Sequence, residues 1–254
     1  MENPHSIAYD PEDRMVYWAD RTSETISRAT IDGTFLENIL GNLTGLSSGE
    51  LTLEFQERKI YWATYFDYCR IERANFDGSD RELLTEDTYY PLGIAVDRVN
   101  RKLFWKEQYF VKSSDLNGEN KIIIAESNGT AASCIFYYQR GIGDSVILFT
   151  DYKYNMVQSV RPDGSDQREV FRWPASRVMH ITVYDSTIYF TTNKGAGGLG
   201  EVPLSNVTAV RVGETFRVRG IDGYRTDVTG DIKDIHVYNM TMVTQPSSQG
   251  LTVG

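Results

Sequence analysis

Long apolar runs are missing from this 254-residue chain: none approaches the roughly 20 residues that a bilayer-spanning helix requires, and the start, Met1 to His5, carries no apolar leader stretch. Membrane insertion by this segment is therefore not expected. Cysteine is also scarce. Two residues, Cys69 and Cys134, are too few for a disulfide framework in a chain of this size, so they do not fix the compartment. Basic excess is absent as well, the formal charge being -9. Nucleic acid is an unlikely partner for such a chain, because binding a polyanion needs clustered Lys and Arg to displace counterions, whereas basic proteins remain suitable partners. Helix-forming residues at a 3.6-residue period are missing too, which leaves β-structure as the leading reading.

What is present is aromatic and β-branched. Sixteen Tyr, eleven Phe and four Trp accompany a 41% hydrophobic and 24% charged composition, enough for a folded core rich in strands. A tetrad recurs as Tyr17-Trp18-Ala19-Asp20, Tyr61-Trp62-Ala63-Thr64, Phe104-Trp105-Lys106-Glu107, Leu148-Phe149-Thr150-Asp151 and Tyr189-Phe190-Thr191-Thr192, with starts 41 to 44 residues apart. Each tetrad follows a short apolar run, such as Gly93 to Asp97. In the first four repeats it precedes a segment ending in Asp32-Gly33, Asp77-Gly78, Asn117-Gly118 or Asp163-Gly164. Such dipeptides favour hairpin turns in which both central residues take positive φ. A further apolar run follows each turn, so each repeat reads as four short antiparallel strands. Repeats of this length, four-stranded and radially arranged, describe propeller blades.

The tetrads and their flanking Ile-Ala-Val-Asp and Asp-Gly elements resemble the Tyr-Trp-Thr-Asp repeat of the low-density lipoprotein receptor family, which includes endocytic and Wnt-coreceptor proteins, nidogen and the epidermal growth factor precursor. The resemblance implies an all-β, six-bladed propeller over residues 1–240, with blades starting near 5, 49, 92, 133, 179 and 232, and a linker over 241–254 leading to an EGF-like module. Inner strands are expected at Ile7 to Asp10, Leu51 to Phe55, Ile94 to Asp97, Ile135 to Tyr138, Ile181 to Tyr184 and Ile235 to Tyr238. Five blades would be complete and the sixth would hold one strand; in the family a preceding segment supplies its other three, so an N-terminally truncated fragment is expected. An exposed insertion is expected between Val212 and Ile232.

The tetrad aromatics Tyr17, Trp18, Tyr61, Trp62, Phe104, Trp105, Phe149, Tyr189 and Phe190 are expected to pack between blades. By the resemblance, Asp20 and Asp151 should anchor backbone, while Thr64 and Thr192 depart from that pattern. Four sequons begin at Asn42, Asn128, Asn206 and Asn239 and support secretion mildly.

Two enzyme-like strings fail on context. Gly45-Leu46-Ser47-Ser48-Gly49 precedes a strand where a nucleophile elbow needs a helix. Gly195-Ala196-Gly197-Gly198-Leu199-Gly200 is followed by Glu201-Val202-Pro203, which cannot open a phosphate-binding helix. No enzyme and no cofactor are expected; a calcium-dependent lactonase would need more channel carboxylates than Glu50 and Asp234. No metal-ligand spacing is visible.

Binding is the better reading. Connections after the tetrads and those entering the inner strands should share one face of the disc, where they present Tyr65, Phe66, Tyr68, Tyr89, Tyr90, Tyr109, Phe110, Tyr152, Tyr154 and Trp173 beside Asp67, Glu86, Asp87 and Glu107. Tyr and Trp anchor protein interfaces, and carboxylates beside them steer basic partners. His5, His180 and His236, in or beside inner strands, would suit acid-dependent release of a ligand if they cluster at the channel. The chain thus reads as a protein-binding or scaffold propeller of an extracellular receptor or matrix protein, flanked in its parent by EGF-like and ligand-binding modules.

Overall fold

The computed structural model describes residues 3–46, 50–65, 69–127, 134–141, 143–173, 177–192 and 199–204. All nineteen elements within them are β-strands. Blade 1 comprises β1 (Pro4–Asp10), β2 (Met15–Asp20), β3 (Thr25–Thr30) and β4 (Leu36–Leu40). Blade 2 comprises β5 (Leu51–Glu54), β6 (Lys59–Thr64), β7 (Arg70–Asn75) and β8 (Glu82–Thr85). Blade 3 holds β9 (Gly93–Asp97), β10 (Lys102–Lys106), β11 (Phe110–Asp115) and β12 (Ile122–Glu126). Blade 4 holds β13 (Ile135–Gly141), β14 (Asp144–Asp151), β15 (Met156–Val160) and β16 (Arg168–Arg172). Blade 5 is described through β17 (Val178–Tyr184), β18 (Thr187–Thr192) and β19 (Leu199–Pro203).

Each sheet is an antiparallel meander, and each inner strand abuts the inner strand of the next blade from β1 through β17. The architecture is an all-β propeller with five blades among the described residues. The expected inner strand Ile235 to Tyr238, the insertion between Val212 and Ile232, and the 241–254 linker lie outside them. Blade 5 was expected to be complete; its fourth strand also falls outside.

Alternation along the second strand of each blade explains the tetrad. Tyr17 of blade 1 and Trp62 of blade 2 share one core, Tyr61 and Trp105 the next, Phe104 and Phe149 the third, and Leu148 and Phe190 the fourth. The first tetrad residue thus faces the following blade and the second faces the preceding one, as the two-residue strand period requires. The end members lack a described neighbour on their outer side. Accordingly Tyr189 is only half-buried, whereas Tyr61 is fully buried.

Blades 1 and 2 share a cross-strand arginine opposite the tetrad tyrosine. Arg28 lies directly across the strand pair from Tyr17, and Arg73 from Tyr61. The same guanidinium groups bind Glu37 at 2.8 Å and Glu82 at 2.7 Å. They also donate to the main-chain oxygens of Phe76 and Leu116 in the next blade, at 3.2 and 3.1 Å. Where the tetrad begins with Phe104 or Leu148, the residue at the arginine position is Ser113 or Ser159. In blade 5 the residue facing Tyr189 is Glu201, so the arginine bridge to the next blade is a feature of blades 1 and 2 among the described residues.

The carboxylates behave as anchors. Asp20 Oδ1 accepts from the amides of Thr22 and Ser23, and Asp151 Oδ1 from those of Lys153 and Tyr154. At the opposite strand ends, Asp10, Glu54 and Asp97 each accept two amides of the following turn.

The Asp-Gly turns differ from the expected type. Only the glycine takes positive φ, as at Gly78 (84°). Gly78 N donates to Asn75 O at 2.8 Å, while Asp77 accepts from the Ser79 amide at 3.0 Å, so the carboxylate closes an Asx turn instead of entering a primed hairpin. The Ser79 hydroxyl, donating to the same Asp77 oxygen at 2.6 Å, and then the Ser79 amide hold that carboxyl below its usual range.

Candidate protein-binding face and channel mouth

Backbone hydrogen bonds join connections that follow the tetrads to neighbouring connections that enter inner strands. Tyr65 N donates to Gly45 O, Gln108 N to Tyr89 O, Ser127 N to Tyr109 O and Trp173 N to Asn155 O. Four tyrosines from blades 2 and 3 form one continuous cluster on this face. Tyr65 and Tyr90 lie 6.1 Å apart between ring centroids, Tyr89 and Tyr90 are edge-on at 4.7 Å, and Tyr89 stacks on Tyr109 at 6.5 Å. Tyr89 and Tyr109 are 54% and 47% exposed, and Tyr90 is held at a φ of 50°, a left-handed backbone uncommon for an aromatic residue. Glu86 and Asp87, both exposed, precede the cluster on the same loop.

The other expected face residues divide. Tyr152 stacks with Arg177 at 4.0 Å, and Tyr154 lies near Lys153 and Arg172, so the blade 4 rim is aromatic and cationic. Phe110 is half-buried at the start of β11. Two assignments are corrected. Glu107 is buried, accepting from Trp105 Nε1 at 2.9 Å and Thr88 Oγ1 at 2.8 Å and pairing with Lys112, so it anchors blade 3 and does not steer a ligand. Trp173 packs edge-on against Phe190 at 5.3 Å and belongs to the core between blades 4 and 5. Phe66, Asp67 and Tyr68 lie outside the described residues.

At the channel, Glu50, Cys134 and His180 converge, one ligand atom from each lying within 4.8 Å of the others. His180 Nδ1 is 3.5 Å from Glu50 Oε1. Glu50 and Cys134 line a cavity of about 440 Å³ whose wall is otherwise mostly the inner strands of blades 1 to 5. The grouping escaped spacing-based reading because its members come from three blades, 50, 134 and 180. The signal that finds it is the repeat register. Ile7, Leu51, Ile94, Ile135 and Ile181 pair with Trp18, Trp62, Trp105, Phe149 and Phe190, so the preceding residues Ser6, Glu50, Gly93, Cys134 and His180 are equivalent.

His5 lies half-buried in β1, and His236 is outside the described residues, as are Asp234, Asn128, Asn206 and Asn239. Asn42 is exposed. Cys69 and Cys134 form no disulfide. Residues 47–49 and 195–198 of the two glycine strings fall outside the described set; the residues that follow are strands β5 and β19, with Gly200 lying under the Phe190 ring.

No family model matches the chain. Protein cueball of Drosophila simulans is 25% identical over 213 residues, covering 82% of this chain and 27% of that protein. The Drosophila erecta protein of that name is 29% identical over 132 residues, covering 48% of this chain and 20% of the relative. The chain thus spans about a quarter or less of these curated relatives. Among solved structures, the nidogen/laminin complex contains a chain with a TM-score of 0.70 and 22% identity, covering 80% of this chain and 77% of that one. Virginiamycin B lyase from Staphylococcus aureus follows at 0.57 and 18%, covering 79% and 69%. With the tetrads packed between blades as described, the likeness to the nidogen complex establishes that this chain folds as a β-propeller.

Proposed function

We propose that the chain is a non-enzymatic, extracellular scaffold propeller that binds a protein partner through the face carrying Tyr65, Tyr89, Tyr90 and Tyr109. The exposed, continuous tyrosine cluster carries the reading: rigid rings with polar tips give large contact area at low entropic cost. Glu86 and Asp87 beside it favour a basic partner by steering encounter. The nidogen-like fold supports a matrix or receptor ectodomain, and an EGF-like neighbour fits that setting. A sixth blade closing the ring fits the outer flank of blade 1, where Ile31 is 44% exposed and its counterpart Phe76 in blade 2 is 3% exposed. Acid-dependent release stays outside the proposal, since His236 is not described and His180 already faces Glu50.

Laminin, named with the similar nidogen structure, is the first probe. Immobilised laminin should bind the chain, and Tyr89→Ala with Tyr109→Ala should weaken binding at least about tenfold while the melting temperature holds. Unchanged binding in that double variant, or turnover of an ester or lactone by the wild-type chain, would overturn the proposal.

A further inference from the structure

We propose that Glu50, Cys134 and His180 form a binding site for a borderline-soft divalent cation, zinc by its chemistry, at the mouth of the central channel. Thiolate, imidazole and carboxylate are the three ligand types of protein zinc sites, whereas calcium and magnesium take oxygen ligands alone. The geometry agrees. In a tetrahedral site with metal–ligand bonds of roughly 2.0–2.3 Å, ligand atoms stand about 3.3–3.8 Å from one another. His180 Nδ1 and Glu50 Oε1 are already 3.5 Å apart, and Cys134 Sγ completes a triangle no wider than 4.8 Å.

The surroundings supply an outer layer of the kind that orients metal ligands. Ile181 N donates to Cys134 Sγ at 3.4 Å, which fixes the sulfur's position against blade 5. Cys134 N donates to Thr150 Oγ1 at 3.0 Å, fixing the strand that carries the sulfur. Glu50 N donates to Leu92 O at 3.1 Å, tying the carboxylate's strand to blade 3. At the equivalent position blade 3 has Gly93, which places no side chain in the ring, and the three ligands leave the fourth coordination position to water or a channel ligand.

Binding would form a metal–sulfur bond and release the thiol proton to solvent. It would join blades 2, 4 and 5 at one point, and so raise resistance to unfolding by mass action.

Cobalt(II) titration of the full 254-residue chain, stripped with chelator and free of any affinity tag, tests this directly. One equivalent should bind, giving a near-ultraviolet sulfur-to-cobalt charge-transfer band, and zinc should displace it and raise the melting temperature. Cys134→Ser should abolish the band, His180→Gln and Glu50→Gln should each weaken affinity at least tenfold, and Cys69→Ser should change nothing. Circular dichroism confirms that each variant is folded; His180→Gln, at a half-buried position, keeps the test available if Cys134→Ser is not. Absence of one-equivalent binding, binding without the band, a band that persists unweakened in His180→Gln, or one lost in Cys69→Ser would overturn the site.

Discussion

Blades 1 and 2 carry the same marks in sequence and meet different surroundings. Ile31 and Phe76 occupy equivalent places before the Asp-Gly pair, yet Ile31 is largely exposed while Phe76 is buried with its ring 5.3 Å from Tyr17. A Cβ on Gly33 would meet nothing within 4 Å, whereas one on Gly78 would lie 2.1 Å from Ile39 O of blade 1. Arg58 reaches back to Asp10 and Asp13, and its counterpart Arg14 makes no ion pair among the described residues. The repeat's conserved-looking features are therefore joints between blades. A blade without a described predecessor keeps the motif and loses its contacts.

That contrast is open to direct attack. The largest effect is expected at the buried ring: Phe76→Ala should cost about 3–5 kcal/mol in urea unfolding, and Ile31→Ala less than about 1. Equal costs would mean that the blade 1 flank is covered in the intact ring, which would support a closing blade. Gly78→Ala should follow at about 2–4 kcal/mol, combining left-handed strain with a backbone collision, while Gly33→Ala should show the strain alone, about 1 kcal/mol. Thermal melts of the pair would measure the difference.

Lys106 stands where blades 1 and 2 have Ala19 and Ala63, and it tests whether the blades are chemically interchangeable. Burial pulls its ammonium down to about 8, against support from Asp151 and Glu107. The unfolded chain then binds this proton more readily between pH about 8 and 10.5, so stability should rise with pH across that window, on the order of 3 kcal/mol. Lys106→Ala should flatten the rise, as measured by denaturation at several pH values. Smallest is the ion pair: Arg58→Ala should cost about 0.5–1 kcal/mol, discounted because the guanidinium is 40% exposed, and Arg14→Ala nothing measurable. Half-molar salt should erase the difference if screening governs it.

Much of the fold was legible because it repeats. Five tetrads and four turn dipeptides placed each described inner strand to within a few residues of its observed start, and seven of the nine tetrad aromatics lie in the four inter-blade cores, Trp18 and Tyr189 being outside them. Turn type was not legible, since Asp-Gly serves both a primed hairpin and an Asx-closed turn; the Asx bond forms at Asp32 as it does at Asp77, with or without a described neighbouring blade against it. The site was read less well. Glu107 looked like a loop carboxylate because a tetrad's last residue and a loop's first are adjacent in sequence; its burial follows from Trp105 and Lys112 pointing at it. Trp173 stood among the loop aromatics until the ring of Phe190 claimed it.

Sequence alone determined the local physics: alternating strands, turns demanding a glycine, large rings at a forty-odd-residue period, and an acidic, aromatic loop set. These follow from backbone sterics and side-chain periodicity, which act over a few residues and repeat without knowledge of the whole. Only the tertiary structure decided which tyrosines join into one surface, which flank has no neighbour among the described residues, and that Glu50, Cys134 and His180 meet. Those outcomes depend on how blades rotate about a common axis, and that rotation brings together positions that the chain itself keeps tens of residues apart.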